Sequence, residues 1–330
     1  MAVRPSTKDS FVRTVLGDIP ATDVGFAHCH EHTFILPGRA SELNPDILLD
    51  DLEKTTAELT AFRASEGRTL VDAQAIGQER APKMQKAASE RSGVNIIACT
   101  GLHRGMFYPA DHFRFRETAE QLTRRFIDEI EGGMAIYHGS EIVEETDIRA
   151  GLIKFASDYH VIDNNARLVA EAVAAAHLAT GAPILTHCEK GTCGVEQIDL
   201  FEKLGVHPSS LILSHLDRNL DSYLHEDIAD SGAYMVYDGI SRVELHPDQE
   251  IIQMIRRMLE QGYGRQILLS MDMGRRSMWT AYGGGPGINY LGDVFLVKLR
   301  RAGLTAEPID AFICRNPADA LAFRKFASGE

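Results

Sequence analysis

An α/β chain folded as a (β/α)8 TIM barrel is the architecture this 330-residue sequence predicts, on three observations. Eight apolar runs of strand length recur along it, most of them continuous rather than alternating, as strands buried on both faces of a parallel sheet require. Helical patterns separate these runs. Side chains of metal-ligand type, His30, His32, Lys154, His187, His215 and Asp272, stand in or just after five of the runs. Groups so distant in sequence meet only if parallel strands lie side by side with those ends facing one pocket.

In chain order, residues 11–19 read as a short N-terminal β-hairpin under the barrel floor. Strands are expected at 24–32, 69–75, 95–101, 152–156, 183–188, 211–216, 234–240 and 267–272. Helices are expected at 49–65, 81–92, 117–131, 163–180, 195–204, 248–261 and 290–301. The clearest is 163–180: Asp163 or Asn164 can cap it, Leu168, Val169, Ala172, Val173 and Ala176 form its apolar stripe, and Gly181 with Pro183 stops it. Residues 306–327 read as a C-terminal helical tail. The long loops 36–44, 103–115 and 275–289 each follow a strand, where barrels of this kind build their active sites. No low-complexity linker or composition shift divides the chain, so residues 1–330 read as a single domain.

A hydrophobic content of 44% is enough for a large core. Lys and Arg number 34 against 47 Asp and Glu, a net charge of -13, which argues against nucleic acid or an anionic membrane and for a small-molecule substrate. The cysteines, Cys29, Cys99, Cys188, Cys193 and Cys314, are odd in number, and three fall in expected strands, against a disulfide framework. The opening residues carry no apolar leader and no run approaches a membrane span, so a cytoplasmic enzyme is expected.

Residues two apart on a strand face the same side, so His30 and His32 can offer two imidazoles to one cation. His28 shares that parity deeper in the strand and reads as packed. A single buried histidine is ordinarily a hydrogen-bonded core residue, and Lys154 alone in Gly-Leu-Ile-Lys-Phe would be an ordinary snorkelling or ion-paired lysine. Desolvation, however, lowers a lysine pKa and yields a neutral amine able to capture carbon dioxide as a carbamate that bridges two metals. His187 and His215 close two apolar strands, and Asp272 closes a third. Five strand ends delivering four imidazoles, a carboxylate and a lysine point to a binuclear metal centre. Nitrogen and oxygen ligands without thiolate suit two divalent ions, zinc first, with manganese, cobalt or iron as alternatives. Cys29 and Cys188 point away by parity.

At this point the residues match a known pattern. Gly25-Phe26 leading to His30-Glu31-His32, Ile148 through Lys154, Thr186-His187, Ser214-His215, Ser270-Met271-Asp272 and Asn316-Pro317-Ala318 resemble the phosphotriesterase family of the amidohydrolase superfamily. The resemblance runs from about Val15 to Phe323. It implies His30, His32 and Asp272 on a buried metal, His187 and His215 on an exposed one, and carboxylated Lys154 bridging both together with a hydroxide. Asp272 and Lys154 are then the catalytic residues, Asp272 moving the hydroxide's proton. A dimer is also implied.

Triester-hydrolysing relatives carry a histidine after the aspartate ending the seventh strand, and acyl-homoserine-lactone hydrolases tend to carry arginine. Here Gly239 follows Asp238. Asp217-Arg218-Asn219, Tyr237 through Ile240, and the segment from Asp272 to Ser277 followed by Tyr282 and a glycine-rich turn resemble instead the branch that hydrolyses phosphorylated furanose lactones. In that branch basic residues after the seventh and eighth strands hold the sugar phosphate, positions matched by Arg242 and Arg275, with Met278 where a tyrosine is expected. Arg276, His103 and Tyr282 join them as candidate substrate contacts. Residues 283–287 lack a P-loop ending and read as a mobile turn over the pocket. The reading is a metal-dependent lactonase; the alternatives are a phosphotriesterase or acyl-homoserine-lactone hydrolase and, from another class, a metal-bound sensor or scaffold.

Overall fold

In the computed structural model, which describes residues 10–324, the eight-stranded sheet is parallel throughout and runs in sequence order. Its strands are β1 (Phe26–Glu31), β2 (Gly67–Asp72), β3 (Asn95–Gly101), β4 (Leu152–Ser157), β5 (Ile184–Cys188), β6 (Leu211–Ser214), β7 (Tyr234–Tyr237) and β8 (Ile267–Leu269). Helices α1 (Leu52–Ala64), α2 (Pro82–Ser92), α3 (Ala119–Glu131), α4 (Asn164–Thr180), α5 (Gly194–Lys203), α6 (Ser222–Ser231), α7 (Asp248–Glu260) and α8 (Leu296–Arg301) follow the strands. Their starts are chemically encoded: Asp51 accepts from the Lys54 N–H, Thr118 and Gln121 form a capping box, and Asp163 accepts from the Ala166 N–H, while Gly181 at φ +80° ends α4.

Ladder pairing joins neighbouring strands from β1 to β8, and the last seam, β8 to β1, closes by side chains. Ser270 Oγ accepts the His30 N–H at 2.8 Å and lies 2.8 Å from both the His30 carbonyl and Glu31 Oε1, to one of which it donates. The Asp272 N–H also reaches the His30 carbonyl, at 3.1 Å. Buried Glu31 then accepts the Met271 N–H on Oε1 at 2.9 Å and the Met273 N–H on Oε2 at 2.7 Å. A carboxylate therefore does what a ladder does elsewhere, satisfying backbone donors that burial would otherwise leave unpaired.

Two cores result. One fills the barrel with Ala27, Cys29, Val71, Ile97, Cys99, Leu152, Leu185, Ile212, Val236 and Leu268, and the other lies between the sheet and the helices. Cys29 belongs to the inner one. The parity expected for β1 is therefore broken: the register shifts between His28 and Glu31, and His28 packs edge-on against Phe62 of α1, 4.9 Å between ring centroids. Such a bulge re-aims the residues beyond it, which is how His30 faces the mouth although His28 faces the helices.

The N-terminal hairpin, Phe11–Thr14 paired with Gly17–Pro20, lies under the floor as expected, with the Val15 N–H donating to Ile96 O at 2.8 Å. The tail runs through Ala306–Asp310, a π-helical turn Ala311–Arg315 and Asn316–Ala320; Phe323 returns to stack on Phe11, and residues 325–327 of the expected tail lie outside the described residues. Three readings are corrected. Helix α6 and an inserted hairpin, Ala135–His138 with Glu141–Glu145, were not expected, because α6 is short and the hairpin's second strand is charged and exposed. Strands β7 and β8 end at Tyr237 and Leu269, short of 240 and 272. The turn at 283–287, expected over the pocket, lies beside α1 instead, where buried Glu58 of that helix accepts the flanking Ala281 and Ile288 N–H groups. Among the described residues no helix is long and apolar enough to cross a membrane.

The seam yields a stability prediction. Glu31→Ala strands two buried N–H groups, so its unfolding free energy in denaturant titration should fall on the order of 3 kcal/mol; a variant as stable as the parent would show that the seam does not need the carboxylate.

Candidate active site

All the ligand-type side chains but Lys154 stand at or just past a strand end. Lys154 sits inside β4, register-paired with Gly101 on one side and Leu185 on the other, and is fully buried. Its Nζ lies 3.4 Å from His30 Nε2. His215 directly follows β6 in left-handed backbone, φ +68°, which ends that strand, and Asp272, left-handed at φ +47°, turns the chain at the mouth three residues past β8. The rings of His30 and His32 are 5.6 Å apart, His30 and His215 4.7 Å, and His187 and His215 4.4 Å. Ligand atoms of His30, His32 and Asp272 lie within 4.8 Å of one another, and so do those of His30, His215 and Asp238.

Neighbours set which nitrogen each ring can offer. Gln74 donates its amide N–H to the Gln78 carbonyl, which turns its Oε1 toward His32 Nδ1 at 2.6 Å and leaves His32 Nε2 facing Asp272 Oδ1 at 3.4 Å. Asp238 Oδ1 takes His215 Nδ1 at 2.8 Å, and its Oδ2 takes the His215 N–H at 3.1 Å. His30 Nδ1 pairs with Ser214 Oγ at 2.6 Å, while His187 uses Nε2, at 2.8 Å from Glu189 Oε2, and keeps Nδ1 free of that contact. Outer partners of this kind orient imidazoles around a metal.

Burial holds His30, His187 and His215 well below the usual imidazole range, so they are neutral and able to donate lone pairs near neutral pH. Burial pulls Lys154 down to about 8. For Asp272, burial opposes ionisation but is outweighed by Arg242, the His32 hydrogen bond and Arg218, which together hold the carboxyl well below its ordinary value. Burial, with Asp217 beside it, pushes Asp238 well up. The donor set fits divalent metal ions: neutral nitrogens, an ionised carboxylate and a desolvated amine converge with their outer hydrogen bonds already made.

A cavity of about 240 Å³ opens over this cluster, lined by parts of all three expected loops, among them Ala40, Phe107 and Arg275. His103 reaches it and stacks at 4.7 Å from His187. Burial holds His103, too, well below its usual value. Arg275 stands exposed at the rim. Arg242 lines the cavity but is engaged: its Nη2 donates to the Asp272 carbonyl and lies 3.1 Å from Asp272 Oδ2.

The structure does not bring Arg276 and Tyr282 to the cavity. Tyr282 OH accepts the Asp51 N–H at 3.0 Å and meets Thr55, so the ring is anchored to the start of α1, and Arg276 lies over that ring. Sequence reasoning missed Gln74, Asp238, Glu189 and Arg218 as site residues. Asp238 carries the same signal as the others, a polar group ending an apolar run. Arg218 carries only its place in the Asp217-Arg218-Asn219 match, because the reversal at His215 is what brings it over the mouth.

Against known families, residues 10–321 match the phosphotriesterase family model. The chain belongs to the phosphotriesterase family. Among relatives of this family member, it is 31% identical over 326 residues to a phospho-furanose lactonase of Mycoplasmopsis agalactiae, covering 96% of this chain and 92% of that protein. The crystal structure of an amidohydrolase from Mycoplasma synoviae superposes with a TM-score of 0.93 at 30% identity, covering 97% and 95% of the two chains. A lactonase from Listeria monocytogenes gives a TM-score of 0.88 at 30% identity, covering 96% and 100%. This phosphotriesterase-family chain is an enzyme, a hydrolase, and its barrel is the one expected.

A carbamate on Lys154 would form only from its free amine, and each pH unit below about 8 removes roughly nine-tenths of that amine. Metal-free protein given zinc under a fixed concentration of dissolved carbon dioxide, the species that reacts with an amine, should therefore take up metal faster as pH rises, by roughly tenfold per unit up to about 8 and little beyond. Metal uptake timed across that range checks this; a flat profile would exclude the amine as the reacting form.

Proposed function

We propose that this enzyme opens a phosphorylated furanose lactone with two divalent metal ions, zinc being the best match to the ligands. The convergence of His30, His32, Lys154, His187, His215 and Asp272 at one barrel mouth carries the reading, together with relatives named as phospho-furanose lactonases. His30, His32 and Asp272 would hold the inner ion and His187 and His215 the outer, with carboxylated Lys154 between them. Bound there, the ions would supply a hydroxide at neutral pH and polarise the lactone carbonyl.

The protein's own groups do the rest. Asp272, kept ionised by its guanidinium neighbours, receives the proton of the attacking water and returns it to the ring oxygen as the ring opens to a hydroxy acid. Phe107 and His103 form one wall of the cavity, and the rim guanidinium of Arg275 can donate two parallel hydrogen bonds to a terminal phosphate. Arg242, already turned to Asp272, would lend charge to that phosphate rather than a free fork. An acyl-lactone reading finds less support, because the cavity is small and its wall is rich in His, Gln and Arg. The single-domain reading extends from barrel to tail, and a dimer is proposed by kinship alone.

A panel of aldonolactones with and without a terminal phosphate, run at matched metal loading, tests the reading: phosphorylated forms should be preferred. Arg275→Ala should raise KM for the phosphorylated lactone by roughly 10- to 100-fold, as loss of a charged hydrogen bond implies, and leave the dephosphorylated analogue nearly unchanged. Equal effects on both would remove the phosphate from the assignment. Lys154→Ala should lower metal content and turnover together, with partial rescue by short carboxylic acids; full activity would refute the carbamate.

A further inference from the structure

We infer that Arg218 is a positioning residue for Asp272, holding one carboxylate oxygen so that only the other is presented to the ligand cluster. The inference rests on the metal-hydrolase reading above and adds to it a residue outside the ligand set.

The two oxygens of Asp272 face opposite environments. Oδ1 lies 3.4 Å from His32 Nε2 and 3.9 Å from His30 Nε2, on the side of the imidazoles. Oδ2 accepts Arg218 Nη2 at 2.7 Å. Arg242 Nη2 approaches the same oxygen at 3.1 Å, but that nitrogen is also shared with the Asp272 carbonyl and Met278 Sδ. Arg218 is thus the shorter and less divided contact. With Oδ2 held, the carboxylate cannot swing to offer both oxygens to one ion, and Oδ1 stays aimed at the site.

How Arg218 reaches Asp272, 54 residues away, follows from the backbone. The left-handed φ of His215 ends β6 and starts the short turn Leu216–Arg218, which carries the guanidinium back across the mouth. The position after Asp238 supplies no partner. A Cβ on Gly239 would stand 2.9 Å from Asp217 Oδ2, and that oxygen already accepts the Gly239 N–H at 2.6 Å. A side chain there would have to displace buried Asp217, so the restraint on Asp272 comes from the end of β6 instead.

Arg218→Ala and Arg218→Lys, prepared with metal content measured and folding checked by circular dichroism, test this on a lactone the parent opens. The Ala variant should lose roughly 10- to 100-fold in kcat with KM changed less than about threefold. Metal content should be unchanged, while the visible absorption of the cobalt-loaded protein should shift, because the carboxylate is free to turn. The Lys variant, which can restore one hydrogen bond, should recover part of kcat and move the spectrum back toward the parent. Parental kcat and spectrum in both variants would overturn the inference. A loss confined to KM for phosphorylated lactones would also overturn it, making Arg218 a phosphate ligand. A parent that binds no cobalt and opens no lactone would instead sink the lactonase reading itself.

Discussion

The closure of β8 onto β1 is the constraint on which the rest depends. Those two strands carry His30, His32 and Asp272, and what joins them is the Glu31 carboxylate and the Ser270 hydroxyl. Glu31 sits between two ligand-type histidines in sequence but points to the other strand, because successive residues of an extended segment face opposite sides. One short segment therefore closes the barrel and supplies two of the three side chains, His30 and His32 with Asp272, whose ligand-type atoms cluster beside the seam. A hydrogen bond from a backbone N–H to a buried carboxylate is among the stronger neutral-to-charged contacts available, which suits a seam that must not breathe beneath the cluster of imidazoles and carboxylate.

Around that seam the site is assembled by burial and by outer hydrogen bonds acting together. Burial removes the proton from the imidazoles and weakens the hold of Lys154 on its own. The partners Gln74, Ser214, Asp238 and Glu189 then decide which nitrogen each ring presents. Neither factor alone would do: a buried ring in the wrong tautomer offers N–H instead of a lone pair, and an exposed ring with the right partner titrates near neutrality.

Charge is arranged asymmetrically at the mouth. The chain is acidic overall, yet Arg104, Arg218, Arg242 and Arg275 all line the cavity. Three of these four are already engaged by protein carboxylates, Arg104 by Asp158 and Glu189, and Arg218 and Arg242 by Asp272. They tie down the carboxylates around the cluster, while Arg275 at the rim faces solvent. That division accounts for a pocket that is strongly polar without being a general anion sink.

The barrel and the side chains that converge at its mouth were readable in the sequence because both are local signals repeated: apolar runs bounded by helices, and a His, Lys or Asp in or just after a run. Burial on both faces makes such runs continuous, and a polar residue ending one stands out. The orientation of those groups was not readable. Parity along β1 gave way to a bulge, Tyr282 and Arg276 turned to α1, and Arg218 reached Asp272 through a left-handed residue, since each depends on contacts between segments far apart in the chain. By itself the sequence determined which chemistry collects at the mouth, because residue type sets what a group can bind. Only the tertiary structure decided which atom of each group faces inward, because that is settled by hydrogen-bond partners arriving from other strands.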